Sequence, residues 1–210
     1  IDVYNSSFFM SKENLPQIYH KSKLVVGVEN MPFKKFLEPL IGNTLIDLGG
    51  SVLSRATQSK REVFLTDQGA KIAPLICYES VYGEYITDYI RNGAQVLAII
   101  TNDGWWNESQ GYKQHLSYAK LRAIETRKNV VRSSKTGSSA VINLKGEIIK
   151  KLDYGVKGYI NHQIELNNYL TFYVKYGDLI YRLSFFFFSF ILLFSFTRKK
   201  NKDNFKKNLA

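Results

Sequence analysis

The 210-residue sequence is short of the residues that build disulfides and metal sites. It contains one cysteine, Cys77, and three histidines, His20, His115 and His162. One thiol excludes an internal disulfide framework and a zinc site made of several cysteines, because both need more than one. The histidines show no ligand spacing with acidic residues, so we expect neither a metal nor another cofactor. His115 opens an amphipathic segment, which predicts a capping or surface role for it.

Acidic residues are also scarce. Lys and Arg number 29 against 18 Asp and Glu, which gives a formal net charge of +11. Segment 198–207 alone holds six basic residues and one acidic residue, so much of the excess lies in a C-terminal tail. A nucleic-acid-binding arm would have this charge, but the tail offers a single aromatic residue, Phe205, for stacking on a base. We therefore expect no nucleic acid partner.

Long disordered tracts are not expected either. With 45% hydrophobic and 22% charged residues, the chain can bury enough apolar surface to offset the entropy lost on ordering. The chain begins at Ile1 rather than at a methionine, so we expect it to be part of a longer protein. No internal repeat is visible, and only a phenylalanine-rich stretch near the C-terminus is of low complexity.

That stretch, residues 179–197, differs from the rest of the chain. It reads LIYRLSFFFFSFILLFSFT, holds seven of the 14 phenylalanines and carries one charge, Arg182. A helix of this length rises about 28 Å, close to the roughly 30 Å apolar core of a bilayer. A buried core helix is the alternative, but the basic residues that follow at once favour a transmembrane helix. The predicted organisation is a globular domain at 1–172, a linker at 173–178, a membrane span at 179–197 and a basic tail at 198–210.

The charges around the predicted span indicate its orientation. Six Lys and Arg residues follow the span, whereas Lys175 and Arg182 lie just before it or in its first turn. Segments rich in Lys and Arg stay on the cytoplasmic side of a membrane. The sequence therefore predicts a cytoplasmic tail and a globular domain on the opposite face of the membrane.

Short apolar runs alternate with helical periodicity in the globular part. Runs of strand length, rich in β-branched residues, lie at 22–28, 71–77, 95–101, 129–133 and 139–143. Segments 81–92 and 114–127 place apolar residues three and four positions apart, as amphipathic helices do. A turn at 143–146 leads to a last strand at 148–152, with Gly146 supplying a positive φ. The mixture predicts a layered α/β domain.

Cys77 ends one of the predicted strands, in the segment IAPLICYES, and a helix is predicted to open shortly after it. Where a strand turns directly into a helix, the first side chain of the turn is exposed. Nearby helix amides favour a thiolate and stabilise a developing oxyanion, which is the environment of a nucleophile. The alternative is an inert buried thiol, since free cysteine is among the most buried residue types.

Lys21 and Glu29 lie at the two ends of the first predicted strand region. A lysine can stabilise an anionic tetrahedral intermediate and lower the pKa of a thiol, and a carboxylate can move protons. The pair thus supplies what a nucleophilic cysteine without a histidine partner needs. The alternative is a solvated ion pair at the end of a strand.

Three segments together resemble the apolipoprotein N-acyltransferases, which are membrane members of the nitrilase superfamily. They are YHKSKLVVGVENMP, PLICYESVYGE, and ITNDGWW followed by QHLSYAKLRAIETRKNVVRSSKTGSSAVINLKGEI. The order and spacing of these segments fit that family. Glu29 lies eight residues after Lys21, and Cys77 lies 56 residues after Lys21. The resemblance covers nearly the whole chain.

The resemblance implies a nitrilase-like α-β-β-α sandwich, incomplete at its N-terminus, followed by one transmembrane helix. It implies a Cys, Lys and Glu triad in which Cys77 is the nucleophile and Lys21 the catalytic lysine. Glu29 matches a second active-site glutamate, and Tyr78, Glu79 and Trp105 match residues that bind substrate. The first triad glutamate belongs upstream of Tyr4, Asn5 and Ser6, so we expect these 210 residues alone to be inactive.

The reaction that the resemblance implies is acyl transfer at a bacterial inner membrane, with the catalytic domain in the periplasm. A phospholipid would donate an acyl chain to the cysteine, and the thioester would pass it to the N-terminal amine of a diacylglyceryl-cysteine apolipoprotein. Two alternatives remain open. A nitrilase-type amidase would give the acyl group to water, and a membrane-anchored interaction domain would be inert.

Overall fold

The computed structural model describes residues 2–13, 15–26, 29–30 and 55–207, with side chains described up to residue 198. The chain divides into two compact units, Ile1–Lys175 and Tyr176–Ala210. The first unit contains all the strands of the described residues, together with two α-helices of 9 and 17 residues. The second consists largely of one apolar helix.

Six strands of the first unit form one sheet in the order of the chain. They are β3 (Phe64–Leu65), β4 (Lys71–Ile76), β5 (Val96–Thr101), β6 (Asn129–Ser134), β7 (Ser139–Ile142) and β8 (Ile148–Leu152). The central strands β4, β5 and β6 run parallel, whereas the outer neighbours pair antiparallel. The predictions of strands from residue 71 onward are confirmed. The predicted turn between β7 and β8 is also confirmed, because Gly146 has a φ of 84°.

Two amphipathic helices connect the parallel strands. Helix α1 (Gly83–Arg91) follows β4, and helix α2 (Gln110–Thr126) lies between β5 and β6. Both predicted helices are therefore confirmed, but α2 begins about one turn earlier than the apolar spacing indicates. Its first turn is polar and forms because the hydroxyl of Ser109 accepts a hydrogen bond from the backbone N–H of Gly111 at 3.2 Å.

The core lies between these helices and the sheet. The helices contribute the buried side chains Tyr85, Ile86, Tyr89, Ile90, Leu116, Ala119 and Ala123, which belong to one cluster with Leu75, Leu97, Ile99 and Val130 of the sheet. Burying one large side chain of this kind stabilises a fold by about 1.5–3 kcal/mol. The cluster therefore fixes the carboxyl ends of β4, β5 and β6, where polar residues follow each strand.

Two further strands, β1 (Ser6–Phe9) and β2 (Gln17–His20), form an antiparallel pair in a separate sheet. The prediction of a strand at 22–28 is wrong for residues 22–26, and residues 27 and 28 lie outside the described part. Strand β2 ends at His20 and does not continue, because the backbone N–H groups of Ser22 and Lys23 donate to the side chain of Glu79 instead of to a neighbouring strand.

Residues 153–171 contain no helix or strand and are attached to the sheet by side chains. The buried ammonium of Lys128 donates to the backbone oxygens of Asn167 and Tyr169 and to the side-chain oxygen of Asn167, at 2.7–2.8 Å. Asn129 donates to the carbonyl of Glu165. Burial lowers the pKa of Lys128 to about 8. This anchor holds the chain against the start of β6.

The short helix α3 (Phe172–Tyr176) precedes helix α4 (Leu179–Lys207). Within the described residues, α4 is the one helix long and apolar enough to cross a membrane, over the 20 residues Leu179–Arg198. None of that stretch is buried in the structure. Its length and composition agree with the predicted span at 179–197.

Candidate active site around Cys77

Cys77 stands directly after β4, at the first position of a short 3-10 helix, Cys77–Val81, here named the Cys77 turn. Its φ of 54° lies in the left-handed region, which costs a residue with a Cβ atom roughly 1–2 kcal/mol. The side chain is half-buried. The turn from strand to helix that the sequence predicts is therefore present, and its first residue, the single cysteine of the chain, has a strained backbone.

Glu79 lies inside the Cys77 turn and is 0% exposed. One carboxyl oxygen, Oε2, accepts from the backbone N–H of Ile76 at 2.8 Å. The other, Oε1, accepts from the backbone N–H groups of Ser22 and Lys23 at 2.7 and 3.2 Å and from two tyrosine hydroxyls. A single side chain thus joins the Cys77 turn to the segment that directly follows Lys21.

The two hydroxyls that donate to Glu79 belong to Tyr19, at 2.7 Å, and Tyr85, at 2.8 Å. Burial, reinforced by the nearby negative charge of Glu79, raises the pKa of Tyr85 to about 12 and raises that of Tyr19 still further. Both hydroxyls therefore keep their protons and remain donors. The donors that contact Glu79 among the described residues are all neutral.

Lys21 and Glu29 form a close ion pair, with the Lys21 Nζ 2.6 Å from Oε2 of Glu29. The Lys21 side chain is only 1% exposed, so the alternative of a solvated strand-end pair is wrong. Glu29 also accepts from the side chain of Asn5 and from the backbone N–H of Val25. Burial alone would raise the pKa of Glu29, but these hydrogen bonds and the charge of Lys21 outweigh it and hold the pKa below its usual value.

A second buried cluster contacts the Cys77 turn from the side of β5 and β6. His115 Nδ1 lies 2.9 Å from Oδ1 of Asp103, and the Arg132 guanidinium donates to Oδ2 of Asp103 at 2.6 Å. His115 Nε2 lies 3.0 Å from the Ser80 hydroxyl and 3.3 Å from the carbonyl oxygen of Cys77. The prediction of a capping or surface role for His115 is therefore wrong, because its side chain is only 2% exposed and sits between two buried polar partners.

Asp103 is the centre of this cluster. Burial alone would raise its pKa, but the hydrogen bond with His115 and the charge of Arg132 keep it below its usual value. The turn between β6 and β7 closes over it, with the Asp103 N–H donating to the carbonyl of Thr136. Gly137, with a φ of 125°, permits this approach, since a Cβ atom there would lie 2.5 Å from Oδ2 of Asp103.

Tyr78 and Trp105 have more exposed positions. Tyr78 is half-buried, and its ring meets that of Tyr82 edge to face at 5.7 Å. Trp105 is 63% exposed on the short 3-10 helix Asp103–Trp106. Both aromatic rings therefore present surface that a substrate can contact, whereas the carboxyl group of Glu79 has none.

The sequence reasoning missed Asp103, Arg132 and Ser80. One signal was available for Asp103: it follows β5 just as Cys77 follows β4, and carboxyl ends of neighbouring parallel strands meet at one edge of a sheet. Arg132 gave no such signal, because a charged residue within a strand is usually exposed. Among the described residues, no three His, Cys, Asp or Glu side chains group as metal ligands do.

Comparison with known proteins identifies the family. The carbon-nitrogen hydrolase family matches residues 1–171. Apolipoprotein N-acyltransferases of Wigglesworthia glossinidia brevipalpis and Borreliella burgdorferi are each 33% identical, over 170 and 206 residues. These matches cover 80% and 96% of this chain but 33% and 39% of those proteins. The chain thus spans little more than a third of the length of these curated relatives.

Solved structures agree on the fold. A carbon-nitrogen hydrolase from Helicobacter pylori G27 superposes with a TM-score of 0.54 at 16% identity, covering 71% of this chain and 52% of that one. A Saccharomyces cerevisiae protein from branch 10 of the nitrilase superfamily gives a TM-score of 0.53 at 19% identity, covering 73% and 51%. The fold is nitrilase-like, as the resemblance implies, and the chain belongs to the carbon-nitrogen hydrolase family.

Proposed function

We propose that the protein is an N-acyltransferase that moves an acyl chain from a phospholipid to the N-terminal amine of diacylglyceryl-cysteine apolipoproteins. The observation that carries the proposal is the bridge made by Glu79, which joins the strained Cys77 turn to the backbone directly after the buried Lys21. Similarity to proteins named apolipoprotein N-acyltransferase over most of the chain supports the choice of substrates.

In the first half-reaction the Cys77 thiolate attacks the carbonyl carbon of the phospholipid ester. The carbon–sulfur bond forms while the carbonyl becomes an oxyanion, and the Lys21 ammonium stabilises that charge. Collapse of the intermediate breaks the bond to the glycerol oxygen, which takes a proton from a general acid and leaves as lysophospholipid. The products are a Cys77 thioester and a lysophospholipid.

In the second half-reaction the neutral amine of the lipoprotein attacks the thioester. A general base takes the proton of the amine, the carbon–sulfur bond breaks, and Cys77 returns to its thiolate while an amide forms. The resemblance assigns the acid and base roles to a glutamate upstream of Tyr4. Glu29, which pairs with Lys21, would keep the lysine charged and fixed in both half-reactions.

Tyr78 and Trp105 are assigned to substrate contact. Their half-buried and exposed rings offer apolar surface of the kind that an acyl chain contacts. Glu79 was predicted to bind substrate as well, but its carboxyl group is enclosed by five donors. We therefore assign Glu79 the role of holding the Cys77 turn against the Lys21 segment.

Residues 179–197 of α4 are assigned as a membrane span that brings the catalytic domain, 1–172, to the lipid surface through the linker 173–178. Both substrates carry acyl chains, so a site at the surface of a bilayer meets them without extracting them into water. The basic tail, 198–210, is assigned to the cytoplasm and the catalytic domain to the periplasm of a bacterial inner membrane.

The second candidate is an amidase, which uses the same thioester but transfers its acyl group to water. The match to the carbon-nitrogen hydrolase family favours it. The apolar helix α4 favours the transferase instead, because an amidase acting on small soluble amides has no use for a membrane surface.

The test is to incubate the full-length protein with phospholipid and to search for a hydroxylamine-sensitive acyl adduct on Cys77 by mass spectrometry. A diacylglyceryl-cysteine peptide is then added and amide formation is followed. We expect an adduct that transfers to the peptide, no adduct in Cys77→Ala, and acylation about 10²–10³-fold slower in Lys21→Met. Release of free fatty acid without amide would favour the amidase, and transfer by Cys77→Ala would refute the mechanism.

A further inference from the structure

The cluster of Asp103, His115 and Arg132 has no role in the steps above, although it reaches the nucleophile. All three side chains are almost fully buried. Removing the charged groups of Asp103 and Arg132 from water costs several kcal/mol, and apolar residues of similar volume often fill such a space at less cost. We therefore expect the contacts between the cluster and the Cys77 turn to have a function.

Those contacts converge on one atom, the carbonyl oxygen of Cys77. The Ser80 hydroxyl donates to it at 2.9 Å, and His115 Nε2 lies 3.3 Å from it and 3.0 Å from that hydroxyl. On the other side of the ring, Nδ1 lies 2.9 Å from Oδ1 of Asp103 and 3.2 Å from a nitrogen of the Arg132 guanidinium. The imidazole ring is thus held by Asp103 with its second nitrogen aimed at the turn.

Asp103 is itself held in place. Arg132 donates to its Oδ2 and to the carbonyl of Ser138, and the hydroxyl of Thr101 donates to its Oδ1 at 3.2 Å. The order of contacts runs from the guanidinium through the carboxylate and the imidazole to the peptide carbonyl. Each member fixes the orientation of the next.

The carbonyl of Cys77 shares a planar peptide group with the N–H of Tyr78. In a trans peptide these two bonds point in opposite directions, so a group that fixes the carbonyl also fixes the N–H. In strand-to-helix nucleophile turns of other folds, the N–H of the residue after the nucleophile donates to the oxyanion. At Cys77, whose positive φ is strained, the orientation of this peptide needs support.

We propose that His115, held by Asp103 and Arg132, is a positioning residue that orients the peptide between Cys77 and Tyr78 so that the Tyr78 N–H points at the oxyanion. The inference rests on the proposed acyl transfer only in requiring a tetrahedral oxyanion at Cys77. It applies equally to transfer to an amine or to water. His115 does not touch the reacting atoms.

Two variants of His115 distinguish the contact of Nδ1 with Asp103 from the contact of Nε2 with the Cys77 turn. An asparagine at this position places its amide near the site of Nδ1, so His115→Asn keeps the contact with Asp103 and loses the contact with the turn. A glutamine reaches the site of Nε2, so His115→Gln places an amide N–H group near the Cys77 carbonyl. Thr126→Val on the same helix is the matched control, because its buried hydroxyl donates to the carbonyl of Arg122, within the helix and away from the Cys77 turn.

Two probes are applied to the full-length protein in detergent. p-Nitrophenyl butyrate acylates the thiol through an oxyanion, and its burst of p-nitrophenolate gives the acylation rate. Iodoacetamide alkylates the same thiol without forming an oxyanion. We expect the burst to slow about 100-fold in His115→Asn and about tenfold in His115→Gln, with alkylation within about twofold of the unaltered protein and both rates unchanged in Thr126→Val.

Equal burst rates in His115→Asn and the unaltered protein would overturn the proposal. A parallel loss of alkylation, or equal losses in the two His115 variants, would also overturn it, since either result indicates a general effect on the fold or the thiol. If His115→Asn does not fold, Ser80→Ala replaces it, with a burst about tenfold slower expected. A normal burst without amide formation would refute only the proposed function, and no burst in the unaltered protein would refute both.

Discussion

Two buried carboxyl groups support the Cys77 turn, Glu79 from within it and Asp103 from beside it, and their hydrogen-bond partners differ in kind. Glu79 accepts from three backbone N–H groups and two tyrosine hydroxyls, all of them neutral. Asp103 lies within hydrogen-bond distance of the side chains of His115 and Arg132, and the hydrogen bond with His115 and the charge of Arg132 hold its pKa low. One carboxyl group binds chain segments together, whereas the other fixes the orientation of a side chain.

The difference predicts different consequences of substitution. A side chain that gathers backbone groups cannot be replaced without leaving those groups unpaired, so its loss damages the assembly of the site. A side chain that holds other side chains can be replaced at a smaller cost to folding, because its partners can turn to new positions. The predictions below test this contrast, in order of expected effect on stability.

The largest effect is expected for Glu79→Ala. It leaves several buried donors without an acceptor, at about 1–3 kcal/mol each, so we expect a loss of about 5 kcal/mol in the free energy of unfolding. The Lys21 segment should separate from the Cys77 turn. Thermal unfolding in detergent measures the loss, and proteolysis after Lys21 or Lys23 reports the separation. A variant as stable as the parent would contradict the bridging role.

Asp103→Asn should cost less, about 3 kcal/mol, because Arg132 keeps its hydrogen bond to the Ser138 carbonyl when the ion pair is lost. Acylation of Cys77 should slow by more than this loss of stability explains. The double variant with His115→Asn should acylate no more slowly than the slower single variant, since both act in one series of contacts. Additive effects in the double variant would show two independent roles.

Gly137→Ala tests how closely the β6–β7 turn must approach Asp103. A Cβ atom there meets Asp103 and Ser134 within 2.7 Å, in addition to the strain of a positive φ, so we expect a loss of about 2–3 kcal/mol. Gly155→Ala is the control, because Gly155 also has a positive φ but no atom within 4 Å of the added Cβ. Its loss should be about 1 kcal/mol. Equal losses would show that the approach to Asp103 is not tight.

The smallest effect is expected for Glu29→Gln under acid conditions. The pKa of Glu29 in the folded protein lies below its usual 4.5, so the folded state binds the proton less readily than the unfolded chain. The carboxylate therefore contributes stability above pH 4.5, and that contribution is lost as the pH falls through the lower value. In thermal melts between pH 6 and 3, the variant should lose less stability than the parent.

The sequence predicts the parallel part of the sheet well because most residues of its strands are buried or half-buried. The strands β4, β5 and β6 are short apolar runs whose residues specify a strand without reference to distant partners. Residues 24–26 are also apolar, but the N–H groups of Ser22 and Lys23 just before them bond a carboxyl group 57 and 56 residues away. No local pattern predicts such a partner.

The residues of the candidate site also divide into those that the sequence predicts and those that it does not. Cys77, Lys21 and Glu29 could be chosen from their residue types and spacing, and the structure places Lys21 and Glu29 in contact. His115 could not, since an isolated histidine on an amphipathic helix is compatible with a surface position. Its burial depends on Asp103 and Ser80, which arrive from two other elements of the fold.

The anchor at Lys128 has a mechanical consequence. Tension applied to segment 165–169 would load the three hydrogen bonds of the Lys128 ammonium and the bond from Asn129 to Glu165 before it loaded the strands. These bonds lie at the start of β6, whereas Arg132 and the Cys77 turn lie toward the opposite end of the parallel strands. Pulling on this segment would therefore be resisted at one end of the sheet, and the strained turn at the other end would be shielded from the force.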